Sequence, residues 1–189
     1  MIGWREWRRG LVVCGDMTGG RTALLVVVAE AEPVVAQLRL RLDPVARLGV
    51  PAHVTVLFPF MPASELRDEA MLRLATLFGT VPAFTHIFAR SAWFGDEVLW
   101  LASDAAEVFR SLTELVWTAF PAHPPFEGEF NEVVPHLTIA NRGPLEDMRA
   151  AEQTVQRHLP ISAITRAVTL MVERPSGRWV TAATFALNG

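Results

Sequence analysis

Two short segments of this 189-residue chain match each other both in residue type and in their surroundings. The sequence His-Val-Thr that begins at His53 recurs as His-Leu-Thr at His136, and each copy follows a proline within an apolar, strand-like run. In an extended strand the side chains at positions i and i+2 point to the same side, so each copy presents one imidazole and one hydroxyl together. The matched surroundings indicate an internal duplication in which two equivalent strands meet at one cleft.

The predicted secondary structure also repeats around the two motifs. The first unit has a strand at 22–29, a helix at 33–47 that Pro44 breaks or bends, the motif strand at 53–58, a helix at 64–78 capped by Ser64, and a strand at 83–94. The second has a strand at 97–102, a helix at 105–120 that begins with a capping box of Asp104 and Glu107, the motif strand at 133–140, a helix at 145–158 and a strand at 164–173. A last strand follows at 178–187.

This order predicts the organisation of the chain. Residues 1–16 show no clear period and are predicted to form an N-terminal arm. Residues 17–189 are predicted to form a single domain of two pseudo-symmetric lobes, approximately 22–94 and 97–187. The loop at 121–132 is the longest irregular insertion and directly precedes the second motif, which is where loops often shape a site.

Missing residue types exclude several classes of chemistry. All seventeen basic residues are arginine, so P-loop, Schiff-base and lysine-adenylate chemistry, which need a lysine amine, are excluded. Tyrosine is absent, which excludes a tyrosyl general acid. Cys14 is the only cysteine, so neither an internal disulfide nor a cysteine-based metal site can form.

Charge and hydropathy restrict the kinds of ligand and the cellular location expected for this chain. A net charge of −3 argues against a long basic groove for nucleic acid and favours a small phosphorylated ligand. The longest apolar run, from Ala23 to Ala29, is too short to cross a bilayer, and the apolar stretch near the start is too short for a signal peptide. We therefore expect a cytoplasmic protein that does not bind membranes and that exists as a monomer.

The paired imidazole and hydroxyl groups suit a phosphate. An imidazole can move a proton near neutral pH, and a hydroxyl can donate a hydrogen bond to a non-bridging oxygen. One histidine on each side of a phosphorus atom would serve the attacking and leaving oxygens of an in-line displacement. The alternative is a purely structural role, in which both histidines are buried in strands and form only local hydrogen bonds. We expect no metal, because the sequence contains no closely spaced pair of histidines.

With both motifs taken together, the chain resembles the 2H phosphoesterase superfamily, also described as the 2′-5′ RNA ligase or cyclic phosphodiesterase family. The resemblance runs from about Met17 to the C-terminus and rests on the two motifs, on the continuation Leu-Phe-Pro-Phe at 57–60 and on the doubled strand-helix order. It implies a bilobal α+β fold, expected here as two mainly antiparallel sheets flanked by helices around a central cleft. It also implies that His53, Thr55, His136 and Thr138 occupy the family's catalytic positions.

The activity implied by the resemblance needs neither a metal nor ATP, and no cofactor is expected. It is cleavage of 2′,3′-cyclic phosphates or reversible formation of 2′-5′ linkages, in RNA ends or small cyclic nucleotides. Some members carry an arginine shortly after the second motif, and the nearest arginine here is Arg142. Candidates for stacking on a base are Trp93, Trp100, Phe126 and Phe130, of which the two loop phenylalanines, Phe126 and Phe130, are preferred.

Two other classes of function stay open on the sequence alone. The first is a nucleotide- or RNA-binding module that has the same cleft but no activity. The second is an interaction domain whose N-terminal arm docks on a partner through its tryptophans and arginines: Trp4, Arg5, Trp7, Arg8 and Arg9. The exact substrate, the direction of reaction and the assignment of acid and base between the two histidines are also open.

Overall fold

The computed structural model describes residues 20–128 and 133–189. The strands are β1 (Thr22–Val27), β2 (His53–Leu57), β3 (Phe84–Phe94), β4 (Val98–Ser103), β5 (Leu137–Asn141), β6 (Ile161–Thr165), β7 (Ala167–Glu173) and β8 (Trp179–Ala186). The helices are α1 (Glu32–Leu42), α2 (Pro44–Arg47), α3 (Asp68–Phe78), α4 (Ala106–Ala119) and α5 (Leu145–Gln156). Short 3₁₀ turns span Ala29–Ala31, Ala63–Glu65 and Pro125–Gly128.

The strands form one eight-stranded antiparallel sheet in the order β6-β3-β4-β5-β2-β1-β7-β8. The predicted α+β class is confirmed. The predicted pair of sheets is instead one sheet, whose two halves are joined through the pairing of Val54 in β2 with Leu137 in β5.

The chain crosses between the halves of the sheet in a way that the predicted lobes do not anticipate. Strand β3, predicted to close the first lobe, lies in the second half between β4 and β6, whereas β7 and β8 lie in the first half beside β1. The predicted boundary between the two lobes, at 94–97, therefore separates β3 from β4, the strand with which it pairs. Hydropathy patterns show where strands occur, but strand order depends on which neighbours pair, and no local pattern carries that information.

The duplication is nevertheless visible in the strand registers. The pairing of β1 with β2 shifts register immediately before Leu25, which lies opposite Thr55. The pairing of β4 with β5 shifts register immediately before Trp100, which lies opposite Thr138. Each motif threonine is thus followed in its own strand by one extra residue, Val56 in β2 and Ile139 in β5, and Leu25 and Trp100 occupy equivalent positions on the neighbouring strands.

Helices cover one face of the motif strands, β2 and β5. Helix α1 and helix α5 pack against β5, and helix α4 packs against β2. Val54 and Leu137 are fully buried in the resulting core, and Thr113 of α4 donates a hydrogen bond to the Val56 carbonyl at 2.7 Å. Because side chains alternate along a strand, the motif residues on either side of Val54 and Leu137 face away from this helix layer.

Several local predictions are corrected by the structure. Helix α3 begins at Asp68 and has no side-chain cap, so Ser64 does not cap it. Asp104 accepts a hydrogen bond from the Ile87 backbone at 2.7 Å and does not cap α4, since the pairing of β3 and β4 brings that donor closer. The predicted strand at 164–173 is two strands, β6 and β7, in different halves of the sheet.

The break predicted at Pro44 is confirmed. Helix α1 ends at Leu42, and a new helix begins at Pro44 after Asp43, whose side chain accepts a hydrogen bond from the Val45 backbone. None of the helices in the described part of the chain has the length and hydropathy needed to span a membrane.

Candidate functional site

The four motif side chains lie on the face of the sheet opposite the helices, across the junction of β2 and β5. His53 is the first residue of β2, and His136 immediately precedes β5. Continuing the register of Val54 with Leu137 by one residue in each direction puts His53 opposite Thr138 and Thr55 opposite His136. The two histidines are then diagonal neighbours, whose Cα atoms in antiparallel strands lie about 7–8 Å apart. The structure brings the four predicted residues together.

Both imidazoles are oriented by the same local hydrogen bond. Nδ1 of His53 lies 2.7 Å from the carbonyl oxygen of Pro51, and Nδ1 of His136 lies 2.7 Å from that of Val134. A carbonyl oxygen only accepts, so each Nδ1 must carry the proton and donate. The lone pair of each neutral ring is then on Nε2. Two imidazoles in the same tautomer, one from each half, are thus prepared to exchange protons through Nε2.

The surroundings favour the neutral form of both rings. Burial, followed by the positive charge of Arg39, lowers the pKa of His53 to about 4, against the opposing hydrogen bond to Pro51. Charge on His136 lowers the pKa of His53 further, which reflects how near the two rings are. Burial also lowers the pKa of His136 below 6.5, while its hydrogen bond to Val134 opposes this effect. Before substrate binds, both histidines are therefore neutral at pH 7.

The low pKa of His53 makes stability depend on pH. Between pH 6.5 and about 4 the unfolded chain binds a proton at this position that the folded chain does not, so folding stability falls as pH falls through this window. The variant His53→Gln is expected to lose less stability than the wild type between pH 7 and pH 4.5, by up to about 3 kcal/mol. Urea unfolding at both pH values measures the difference, with His158→Ala as the control for an exposed histidine. Equal losses in His53→Gln and wild type would contradict it.

A buried ion pair fixes the segment that leads into His53. The Arg39 guanidinium is 2% exposed and donates to Oδ2 of Asp43 through Nε at 3.2 Å and Nη2 at 2.8 Å. Its Nη1 donates to the Val50 carbonyl at 3.2 Å, and Glu32 accepts a hydrogen bond from the backbone of Ala52 at 2.6 Å. The backbone just before His53 is thus held on two sides. Sequence reasoning missed Arg39, because a charged residue on a helix usually faces solvent.

Two aromatic rings lie against His136. The Phe94 ring centroid is 5.0 Å from that of His136, the Trp100 centroid is 5.7 Å from it, and Phe94 and Trp100 stack at 4.8 Å. Trp93, the other tryptophan considered for stacking, instead donates to Glu152 of α5 at 2.9 Å. Aromatic residues are common in both core and site, so the sequence alone could not separate Trp93 from Trp100. The two tryptophans are separated by strand pairing, which puts Trp100 opposite Thr138 and which the sequence does not show.

The structure does not bring Arg142, the arginine proposed from the sequence to bind substrate, close to the histidines. Arg142 follows the last residue of β5, so it is six residues and about 20 Å of extended strand away from His136. Its side chain is 79% exposed and its Nε donates to Glu97 at 3.2 Å. Of the two loop phenylalanines, Phe126 lies in the 3₁₀ turn Pro125–Gly128, but its side chain is outside what the structure describes, and Phe130 lies outside the described residues. The N-terminal arm, 1–16, also lies outside them.

Comparison with known proteins identifies both a sequence family and a set of similar folds. The sequence matches the model of the 2′-5′ RNA ligase superfamily over residues 27–176. The fold is similar to that of E. coli LigT, crystallised with 3′-AMP, with a TM-score of 0.59 and 18% identity over 90% of this chain and 99% of LigT. It is also similar to TT0787 of Thermus thermophilus, with a TM-score of 0.57 and 21% identity over 89% of this chain and 98% of that one. None of the curated proteins matches the sequence significantly.

The family match includes both motifs and most of the sheet. The chain therefore belongs to the 2′-5′ RNA ligase superfamily, and the resemblance to the 2H phosphoesterases is confirmed. At these levels of identity the solved structures establish the fold, and the chemistry must be argued from the residues of this chain.

Proposed function

We propose that this protein is a phosphoesterase that acts on 2′,3′-cyclic phosphate or 2′-5′ phosphodiester bonds, in RNA ends or in nucleotides. The observation that carries the proposal is the pair of equivalent imidazoles, each with Nδ1 bonded to a backbone carbonyl and Nε2 left for proton transfer. The binding of 3′-AMP by LigT, a protein of the same fold, supports a nucleotide as ligand. The net charge of −3 favours a short ligand over structured RNA.

In the proposed hydrolysis of a cyclic phosphate, one neutral histidine removes a proton from water as the water oxygen attacks phosphorus. The other histidine, protonated, donates its proton to the ribose oxygen as the bond from that oxygen to phosphorus breaks. The products are a phosphomonoester and a free ribose hydroxyl, and the two histidines have exchanged protonation states. Thr55 and Thr138 donate hydrogen bonds to the non-bridging oxygens between them.

The direct test is an assay of the wild-type chain on 2′,3′-cyclic nucleotides and 2′-5′ dinucleotides, with a chelator present and no added metal. Turnover to a phosphomonoester is expected for at least one of these substrates. Binding of a 2′-phosphonucleotide with no turnover of any of them would instead favour a binding module without activity.

The proposed roles also predict the pH dependence of kcat/KM. The histidine acting as base must be neutral, so activity rises as pH increases through its pKa. The histidine acting as acid must be protonated, so activity falls as pH increases through its pKa. The pKa of His53 is lowered to about 4 and that of His136 lies below 6.5, so the optimum of kcat/KM is expected between about pH 4 and pH 6.5. This holds for either assignment of the two roles.

A bound anionic phosphate favours the protonated imidazole, so the optimum of kcat is expected at higher pH than that of kcat/KM. Initial rates measured across substrate concentrations from pH 3.5 to 8.5 give both profiles. A kcat/KM that keeps rising above pH 7 would be inconsistent with the paired roles.

A further inference from the structure

The strongest unexplained feature of the described residues is a polar atom beneath His136. The side chain of Trp100 is only 8% exposed, and its Nε1 has no hydrogen-bond partner in the structure. A buried donor left without an acceptor destabilises the folded protein, because the same donor is hydrated in the unfolded chain. Such groups are rare in folded proteins and each requires an explanation.

The position of this donor relates it to the site. Trp100 lies opposite Thr138 in the pairing of β4 with β5, so the two side chains emerge from the same face of the sheet. That face also bears His136, two residues from Thr138 along the chain, and the indole and imidazole centroids are 5.7 Å apart. The Phe94 ring stacks on the indole and also contacts the His136 ring edge-on. The indole that carries the unpaired N–H is therefore next to the groups proposed to hold phosphate.

The equivalent position in the other half of the sheet holds a side chain without a donor. Leu25 occupies the equivalent place opposite Thr55, and it is buried in a small apolar cluster with Ala23, Val50, Met171 and Trp179. Two half-sites that agree in their histidine, threonine, tautomer and β-bulge thus differ at this position. Duplicated packing alone does not require an N–H donor here, because leucine fills the same place in the first half without one.

We propose that the indole N–H of Trp100 binds a phosphoryl oxygen of the substrate, on the side of the phosphate that faces His136. The inference rests on the proposed function, since it assigns the ligand of that same site. An indole nitrogen is only a donor, and an anionic oxygen is the acceptor that such a donor binds most strongly. The phosphate would then receive one more hydrogen bond from the second half of the sheet than from the first. The site therefore distinguishes the two sides of a bound phosphate.

The indole ¹H–¹⁵N signals of the ¹⁵N-labelled wild-type protein test the proposal. Titration with inorganic phosphate, and separately with adenosine 2′-monophosphate, is expected to move the Trp100 signal downfield in a saturable way. Trp93, whose N–H already donates to Glu152 on the opposite face, serves as an internal control and should not move. Adenosine without phosphate should leave the Trp100 signal in place. A response to adenosine but not to phosphate would overturn the assignment to phosphate.

The matched variants Trp100→Phe and Trp93→Phe add a functional readout. Loss of a hydrogen bond to a charged group is expected to weaken binding of adenosine 2′-monophosphate by about 10- to 100-fold in Trp100→Phe, with little change in Trp93→Phe. If Trp100→Phe does not fold, cross-relaxation between the indole proton and the His136 ring assigns the signal in the wild type. Turnover by the wild type together with an unmoved Trp100 signal would overturn this inference and leave the proposed function intact. A moved signal without turnover would support the binding site and contradict the enzyme.

Discussion

Replacing either motif histidine by alanine is expected to lower the turnover of a 2′,3′-cyclic nucleotide by about 10²- to 10⁴-fold, the usual contribution of one positioned acid or base. The loss should appear mainly in kcat, because the threonines still bind the phosphate. Each variant should lose one limb of the bell-shaped pH profile. If His53→Ala loses the acid limb, His136→Ala should lose the alkaline limb, and the reverse. Which limb is lost in each variant assigns the acid and the base.

The variant His158→Ala is the matched control, since His158 lies beyond α5 and its Nδ1 bonds to the Thr154 carbonyl. It should keep the wild-type rate. The double variant His53→Ala/His136→Ala is expected to lose less than the product of the single losses, because the two groups act together in one step. Retention of the wild-type rate by either single variant, with the fold intact by circular dichroism, would contradict the mechanism.

Replacing Arg39 by leucine is expected to cost about 3–5 kcal/mol of the free energy of unfolding. Asp43 is 1% exposed in the ion pair, so removing Arg39 leaves a buried carboxylate without its counter-charge. The same change removes the positive charge that lowers the pKa of His53, so this pKa should rise. Urea unfolding measures the first effect, and NMR titration of the His53 ring measures the second.

Arg41→Leu is the control for this prediction, because Arg41 pairs with Asp147 at 4.0 Å and both side chains are largely exposed. Its effect should be below about 1 kcal/mol. The double variant Arg39→Leu/Asp43→Leu should recover much of the stability lost in Arg39→Leu, since both buried charges are then gone. An Arg39→Leu protein as stable as the wild type would show that the ion pair does not hold the segment before His53.

The sequence was sufficient to locate the motifs and to identify their duplication. His-x-Thr in an extended run is a local pattern, because a period of two determines which side chains share a face. The helix break at Pro44 is equally local, since proline restricts its own backbone and that of the residue before it. Each of these expectations depended on neighbours within a few positions along the chain.

What the sequence did not reveal depends on contacts between distant segments. The place of β3 in the second half of the sheet follows from its pairing with β4 and β6. The environment of His136 follows from the pairing of β4 with β5, which brings in Trp100, and from that of β3 with β4, which brings in Phe94. Among the described arginines, Arg39 is set apart by its own burial together with that of its partner Asp43. Arg142 was preferred for its distance along the chain, yet a β-strand carries it away from the histidines.

The single backbone pair that joins β2 to β5 has a consequence for how the protein can be divided. Helix α1, which follows β1, packs beneath β5, and helix α4, which follows β4, packs beneath β2. Each half therefore supplies the hydrophobic support for the other half's histidine. A fragment ending after β3 would contain only one of the two motif imidazoles, and its helix α1 would lack the strand against which it packs. Such a fragment contains half of the proposed site, and the missing piece would have to bind to it to restore the pair of motif histidines.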